Sequence, residues 1–183
     1  MKLTTLFVLG LLVVSTQALA QAPANEIEKA LLAAPARARA DATVIKWNPA
    51  DQTYTTLKQG TSRMVCYDRS GFPLERAFSV ECTSVANLDR VAQNLKFEAS
   101  GDRDTRNEMV EAAEKDGSRV KPEYGSIFYN YRGDTMEQAT RHTTIAVPGA
   151  TAASTGLPDT RDQGFAWVMQ AGTTSAHIMV PGR

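Results

Sequence analysis

The chain has 183 residues, with 20 Lys plus Arg against 20 Asp plus Glu, two histidines and two cysteines. That length suits one domain with a substantial core, and the charge balance excludes the general attraction to polyanions on which nucleic-acid binders depend. No Gly-rich phosphate loop, G-x-S-x-G elbow, H-E-x-x-H or EF-hand pattern occurs, so the local fingerprints of catalysis and of cofactor binding are absent.

The chain opens on MKLTTLFVLGLLVVSTQALA, in which Lys2 precedes an apolar run from Leu6 to Val14 and Ala18-Leu19-Ala20 supplies a small-x-small cleavage pattern. This predicts an export signal over residues 1–20, cut between Ala20 and Gln21, and a single domain over 21–183. The apolar run is shorter than the roughly 20 residues that span a bilayer. No later segment is longer, so no membrane span is expected in the mature chain. Gln21 stands where a lipidated bacterial precursor needs a cysteine. The predicted location is the periplasm or the extracellular medium.

After the signal, Asn25 is an N-cap candidate before Ile27, Leu31 and Leu32 at helical spacing, and Pro35 closes that helix. ATVIKWN (42–48) and TYTTLKQ (53–59) have the β-branched and aromatic content of a hairpin, and Gly60 separates them from a third strand, SRMVCYD. AFSVEC (77–82) is a short fourth strand. From Thr83 the pattern changes: Val85, Leu88, Val91, Ala92 and Leu95 recur at intervals of three and four and define an apolar helix face. Thr105 to Glu108 reads as a capping box opening a second helix that runs to Gly117. SIFYNYR and HTTIAV return to strand composition. A small, polar stretch, GATAASTGLPDTRDQG (149–164), follows as a loop expected to be mobile, and FAWVMQ and AHIMVPG close the chain as strands. Strands, then helices, then strands again predict an α+β domain with a mainly antiparallel β-sheet, two or three helices and one disulfide.

The disulfide follows from compartment and count. With two cysteines only one intramolecular pairing exists, and in an oxidising compartment Cys66 and Cys82 are expected to form it, stapling the turn-rich segment between them. A redox dithiol would favour C-x-x-C spacing, and a metal site would need a short-spaced Cys/His cluster, so neither a metal nor a cofactor is predicted.

His177, sharing a strand face with Met179, is the best single candidate for a proton-transfer role, and His142, flanked by Arg141 and Thr143, is a weaker one. The acids Glu108, Glu111 and Glu114 read as a solvated helix face, and Arg132-Gly133-Asp134 as turn chemistry after a strand. Alternation puts Ile127, Tyr129 and Tyr131 on one sheet face, where rings are buried as core, and Phe128 on the other.

ATVIKWNPADQTYTTLKQGTSRMVC, the Leu57–Thr61 turn leading to Cys66, the second cysteine and the closing His177-Ile178-Met179 resemble a group of uncharacterised small secreted bacterial proteins. The resemblance implies secretion and the disulfide and carries no activity. The function expected is that of a binding or interaction module of the cell envelope with an envelope or extracellular partner, touched by Asp159, Arg161 and Asp162 of the long loop. Two alternatives stand beside it. One is a small secreted hydrolase using His177 with Asp159 or Asp162; the other is a structural envelope protein.

Overall fold

Branched and aromatic residues are concentrated in eight short segments, and the computed structural model, which describes residues 17–163 and 166–181, joins all eight into one sheet. The strands are β1 (Thr43–Trp47), β2 (Tyr54–Lys58), β3 (Met64–Asp68), β4 (Phe78–Ser84), β5 (Ile127–Gly133), β6 (Thr140–Ala146), β7 (Trp167–Met169) and β8 (His177–Pro181). Their order is β2-β1-β3-β4-β5-β6-β8-β7, and every neighbouring pair is antiparallel except β1 with β3. Helices α1 (Gln17–Ala30), α2 (Leu88–Glu98) and α3 (Arg103–Asp116) are long, and α4 (Ala152–Thr155) is a single turn. The architecture is the expected α+β class.

The parallel pair arises from a tight crossing. β2 returns along β1 as a hairpin, and residues 59–63 then fold around the start of β1 to place β3 on its other side. Thr61 and Ser62 both donate backbone N–H groups to the Asp41 carbonyl, at 3.0 and 2.9 Å. Gly60 lies so close to this backbone that a Cβ there would sit 2.2 Å from the Asp41 oxygen. Lys58 braces the same point, its Nζ donating to the carbonyls of Arg39, Ala40 and Ala42.

Each sheet face carries its own core. Towards α1, Val44, Cys66, Phe78, Val80 and Cys82 pack with Ala30, Ala33 and Ala34, and the Phe78 ring meets Tyr131 edge-on at 5.1 Å. Towards α2, Ile45, Trp47, Val65 and Tyr67 pack with Leu88, Val91 and Leu95. The period-two strand pattern and the three-and-four helix pattern thus meet in two layers.

Cys66 and Cys82 stand directly opposite each other in the β3–β4 register, with Cα atoms 4.0 Å apart, bonded and fully buried under α1. The bond lies within the sheet, not on a loop. The connection beyond it has its own ties, Ser70 N–H to Asp68 Oδ1 at 2.8 Å and Phe72 N–H to the Arg69 carbonyl at 3.0 Å.

Helix boundaries depart from expectation in three places. Ser84 Oγ accepts from the Ala86 N–H and closes a 3-10 turn over 85–87, so α2 begins at Leu88 and Val85 is left 49% exposed. α3 begins before Thr105: Asp102 Oδ2 accepts the Thr105 N–H at 2.7 Å and is the N-cap, a role an aspartate after a turn glycine fills as well as a hydroxyl. Asn25 lies inside α1, which continues back to Gln17 across the Ala20–Gln21 bond. The hydrophobic part of the expected export signal, Leu6 to Val14, lies outside the described residues.

Replacing both cysteines by serine is expected to lower the unfolding free energy by roughly 2 to 4 kcal/mol in urea titrations. Alkylation should find no thiol in the untreated native protein, and labelling at Cys66 or Cys82 there would refute the bond. Gly60→Ala should lower stability by roughly 1 to 3 kcal/mol, because backbone and not a flexible side chain blocks the new methyl. An unchanged denaturation midpoint would show that the crossing yields freely.

Candidate functional site

The sheet face towards α2 and α3 changes character along its width. Under α2 it is apolar, but from β4 onward the same alternation brings Ser79, Glu81, Asn130, Arg132, His142, Thr144 and His177 to that face, as the register of β4, β5, β6 and β8 requires. The opposite face of these strands carries Val80, Cys82, Ile127, Tyr129 and Tyr131. Tyr129 and Tyr131 lie on the face the alternation assigns them and pack half-buried against the α1 core. A polar wall beneath a helix does not pack dry, and a cleft remains.

α3 is held away from this wall at its C-terminal end. Glu114 accepts from the Thr174 N–H at 3.1 Å, from Thr174 Oγ1 at 2.5 Å and from Ser175 Oγ at 3.2 Å, tying the helix to the turn before β8. Below it, Arg119 stacks on Phe97 of α2 at 5.2 Å and donates to Gln93 Oε1 and Asn94 Oδ1. The N-terminal half of α3, with Arg103, Arg106 and Asn107, lines the cleft.

The cleft has two chambers that share Arg106. The wider, about 750 Å³, lies between α3, the end of α2 and the β3–β4 connection, and its charged lining is Glu75, Arg76, Glu98, Arg103, Arg106, Arg132 and Asp134. The narrower, about 220 Å³, is bounded by Arg90, Arg106 and Arg119 on the helix side and by Phe128, Thr144 and His177 on the sheet side.

A buried ionic group closes the floor of the wider chamber. Tyr67 donates its hydroxyl to Glu81 Oε1 at 2.6 Å, and Arg69 pairs with Glu81 at 3.7 Å and with Glu98. Burial pushes the carboxyls of Glu81 and Glu98 up, against the pull of Arg69. It pushes the Tyr67 phenol well up too, with the Glu81 charge adding to the effect. Burial opposes the Arg69 charge as well, but Glu81, Glu98 and Glu75 outweigh it and hold the guanidinium above its ordinary range. Arg69 therefore absorbs the two buried acids. Of the chamber's other charges, Arg132 pairs with Glu75 at 3.6 Å and Arg76 with Asp134 at 2.9 Å. Arg103 and Arg106 form no ion pair among the described residues, which leaves the cleft with uncompensated positive charge.

The residues expected from sequence are distributed unevenly about this cleft. His177 lines the narrow chamber, with Nδ1 2.8 Å from the Ser175 carbonyl oxygen. Asp159, Arg161 and Asp162 are exposed, and none of them lines either chamber. Their loop is more organised than its composition suggested: Thr151 and Ser154 form a reciprocal capping box for α4, and the Pro158 carbonyl accepts from Val168 N–H at 2.8 Å. A pattern of small and hydroxyl residues thus conceals a helix start. Glu108 and Glu111 are exposed, as a solvated face requires, whereas Glu114 is the tie to the turn before β8. Arg132 and Asp134 are engaged with Glu75 and Arg76, so the Arg-Gly-Asp triplet is part of the cleft wall and not a free tip. Among the described residues no group of three or more His, Cys, Asp or Glu side chains is placed to hold a metal ion. The arginines of the cleft went unread in the sequence. The available signals were the period-two polar residues Ser79, Glu81 and Thr83, Asn130 and Arg132, and Thr140, His142 and Thr144, and the Arg103/Arg106 spacing of one helical turn.

His142 offers a stability test of this wall. Burial holds its ring below the ordinary value of 6.5, with Arg132 and His177 adding to the shift and Glu75 opposing it. The unfolded chain therefore binds a proton that the native state refuses, so this contribution to stability is present above about pH 6.5 and is lost as pH falls from there to the lowered native value. Urea midpoints at neutral and mildly acidic pH should differ less in His142→Gln than in the wild type. An identical pH dependence would show that the ring is not buried neutral.

Comparison of the chain with known protein families, with curated proteins and with solved structures gives no match.

Proposed function

We propose that the protein is an exported binding module and that its ligand site is the cleft between α3 and the polar half of the sheet. The observation that carries this reading is the wall itself. Ser79, Asn130, Arg132, His142, Thr144 and His177 occupy positions at which alternation under a helix would ordinarily bring apolar core residues, and of these Arg132 lines the chamber of about 750 Å³ and Thr144 and His177 the one of about 220 Å³. Such a face sacrifices hydrophobic burial, and recognition of a polar ligand accounts for keeping it.

Export is supported by the N-terminal pattern of Lys2, the apolar run and Ala18-Leu19-Ala20, and by a disulfide of the kind oxidising compartments favour. No helix among the described residues is long and apolar enough to cross a membrane. The envelope is the setting in which this reading places the ligand. The arrangement at His177 favours binding over hydrolysis: its Nδ1 faces a backbone carbonyl, and Asp159 and Asp162 are exposed on a segment that lines neither chamber.

The test is an NMR titration of the mature protein with soluble cell-wall fragments and with a small-molecule extract of the envelope. Amide shifts are expected in 103–107, 128–132 and 142–146, and Arg103→Gln should weaken them. Shifts confined to 149–164, or turnover in a hydrolase substrate panel abolished by His177→Ala, would overturn the assignment.

A further inference from the structure

Resting on that reading of the cleft, we infer that its narrow chamber is the seat for an oxyanion group of the ligand, a carboxylate or a phosphate, held by Arg90, Arg106 and Arg119 opposite His177 and Thr144.

Arg90 and Arg119 are 6% and 4% exposed. Buried cations ordinarily carry a carboxylate partner, since a lone charge out of water is strongly destabilising. These two have none within ion-pair distance among the described residues. Arg90 donates to the Val120 carbonyl at 2.5 Å, to Thr174 Oγ1 at 3.3 Å and to Ser175 Oγ at 2.6 Å. Arg119 donates to Gln93 Oε1 at 2.6 Å and to Asn94 Oδ1 at 2.5 Å, and its Nε is buried without a partner. Neutral acceptors take up terminal N–H groups of both guanidiniums and leave the charge in place. Arg106 adds a third cation from α3 to the same chamber. Arg90 and Arg119 are held down at about 10, first by burial and then with repulsion from Arg106 contributing to both. Glu114 offsets part of this charge. It is committed to Thr174 and Ser175, the two residues whose hydroxyls Arg90 also uses.

An oxyanion entering here meets planar donors suited to two-point contacts, in a site whose charge is already assembled and unpaired. Its binding would relieve the repulsion among the three arginines. Arg106 belongs to both chambers, so a ligand anchored at the narrow end extends past it towards Arg103 and Arg132 in the wide one. The ligand class is therefore a polar molecule with an anionic terminus.

The experiment titrates the mature protein with inorganic phosphate and, separately, with N-acetylglycine, each against sodium chloride at matched ionic strength, while following the Arg Nε–Hε signals and the Ser175 and His177 amides. A saturable shift with at least one anion is expected, and the anion that binds more tightly distinguishes a phosphate source from a carboxylate source. Arg106→Gln should weaken binding about tenfold, the loss of one charge-assisted hydrogen bond. Arg37→Gln, exposed on the 3-10 turn after α1, should leave it unchanged. His177→Gln, with wild-type folding checked by its spectrum, is an independent second variant expected to weaken binding. No saturable shift beyond chloride with either anion, or affinity indifferent to both Arg106→Gln and His177→Gln, overturns the inference. If cell-wall fragments shift the wide chamber while neither anion binds or competes, the oxyanion seat fails and the cleft stands as a binding site. Silence towards every probe sinks both.

Discussion

The in-register pairing of β3 with β4 is the constraint on which the rest of the molecule depends. It sets Cys66 opposite Cys82 on one face and Tyr67 opposite Glu81 on the other. Because side chains alternate, one register decides two unlike interactions at once: a covalent bond in the apolar layer under α1, and a hydrogen-bonded phenol and carboxylate in the layer under α2. A slip of β4 by one residue would turn the Cys82 sulfur towards α2 and drive Glu81 into the α1 core. The bond therefore does more than close a loop; it fixes which face of the central strands is dry.

From that register the polar wall propagates outward. Glu81 needs Arg69, Arg69 draws Glu98 from the end of α2, and α2 is thereby positioned over β1 and β3, short of the strands beyond. α3 is then anchored to its surroundings chiefly through polar ties, Glu114 to the turn before β8 and Arg119 to α2. Polar ties hold a helix at a distance set by side-chain length, whereas interdigitated apolar side chains would have drawn it down. The cleft is the space left by that difference. Its charge is likewise a consequence of position: Arg69, Arg76 and Arg132 face carboxylates, and Arg90, Arg106 and Arg119 converge on a chamber where Glu114 reaches Arg90 through the Thr174 and Ser175 hydroxyls.

The near-neutral composition gave no hint of this. A balance of 20 cations and 20 acids describes the whole chain and says nothing of a local surplus. Asp89, Asp104, Glu108 and Glu111 lie on solvated helix surfaces, where their charge is screened, while the arginines turned inward act in a medium of lower dielectric.

What the sequence determined by itself is what depends on short-range periodicity and on chemistry of residue type: the eight strand segments, the apolar faces of α1 and α2, the one possible cysteine pairing and the α+β class. Local signals even located the sheet face of Tyr129 and Tyr131, which pack half-buried against the α1 core, because alternation is a property of the strand and not of its neighbours. Boundaries were less legible. Ser84 and Asp102 competed successfully with Thr83 and Thr105 as helix starts, and several residues in each stretch have nearly equal capping strength. Only the tertiary structure decided the parallel β1–β3 pair, since that pairing depends on Gly60 passing against the Asp41 backbone. It alone decided the convergence of arginines from β5, α2, α3 and the segment after α3. Those side chains lie tens of residues apart in sequence, and nothing within one helical turn or one strand repeat records that folding will bring their charges into one cleft.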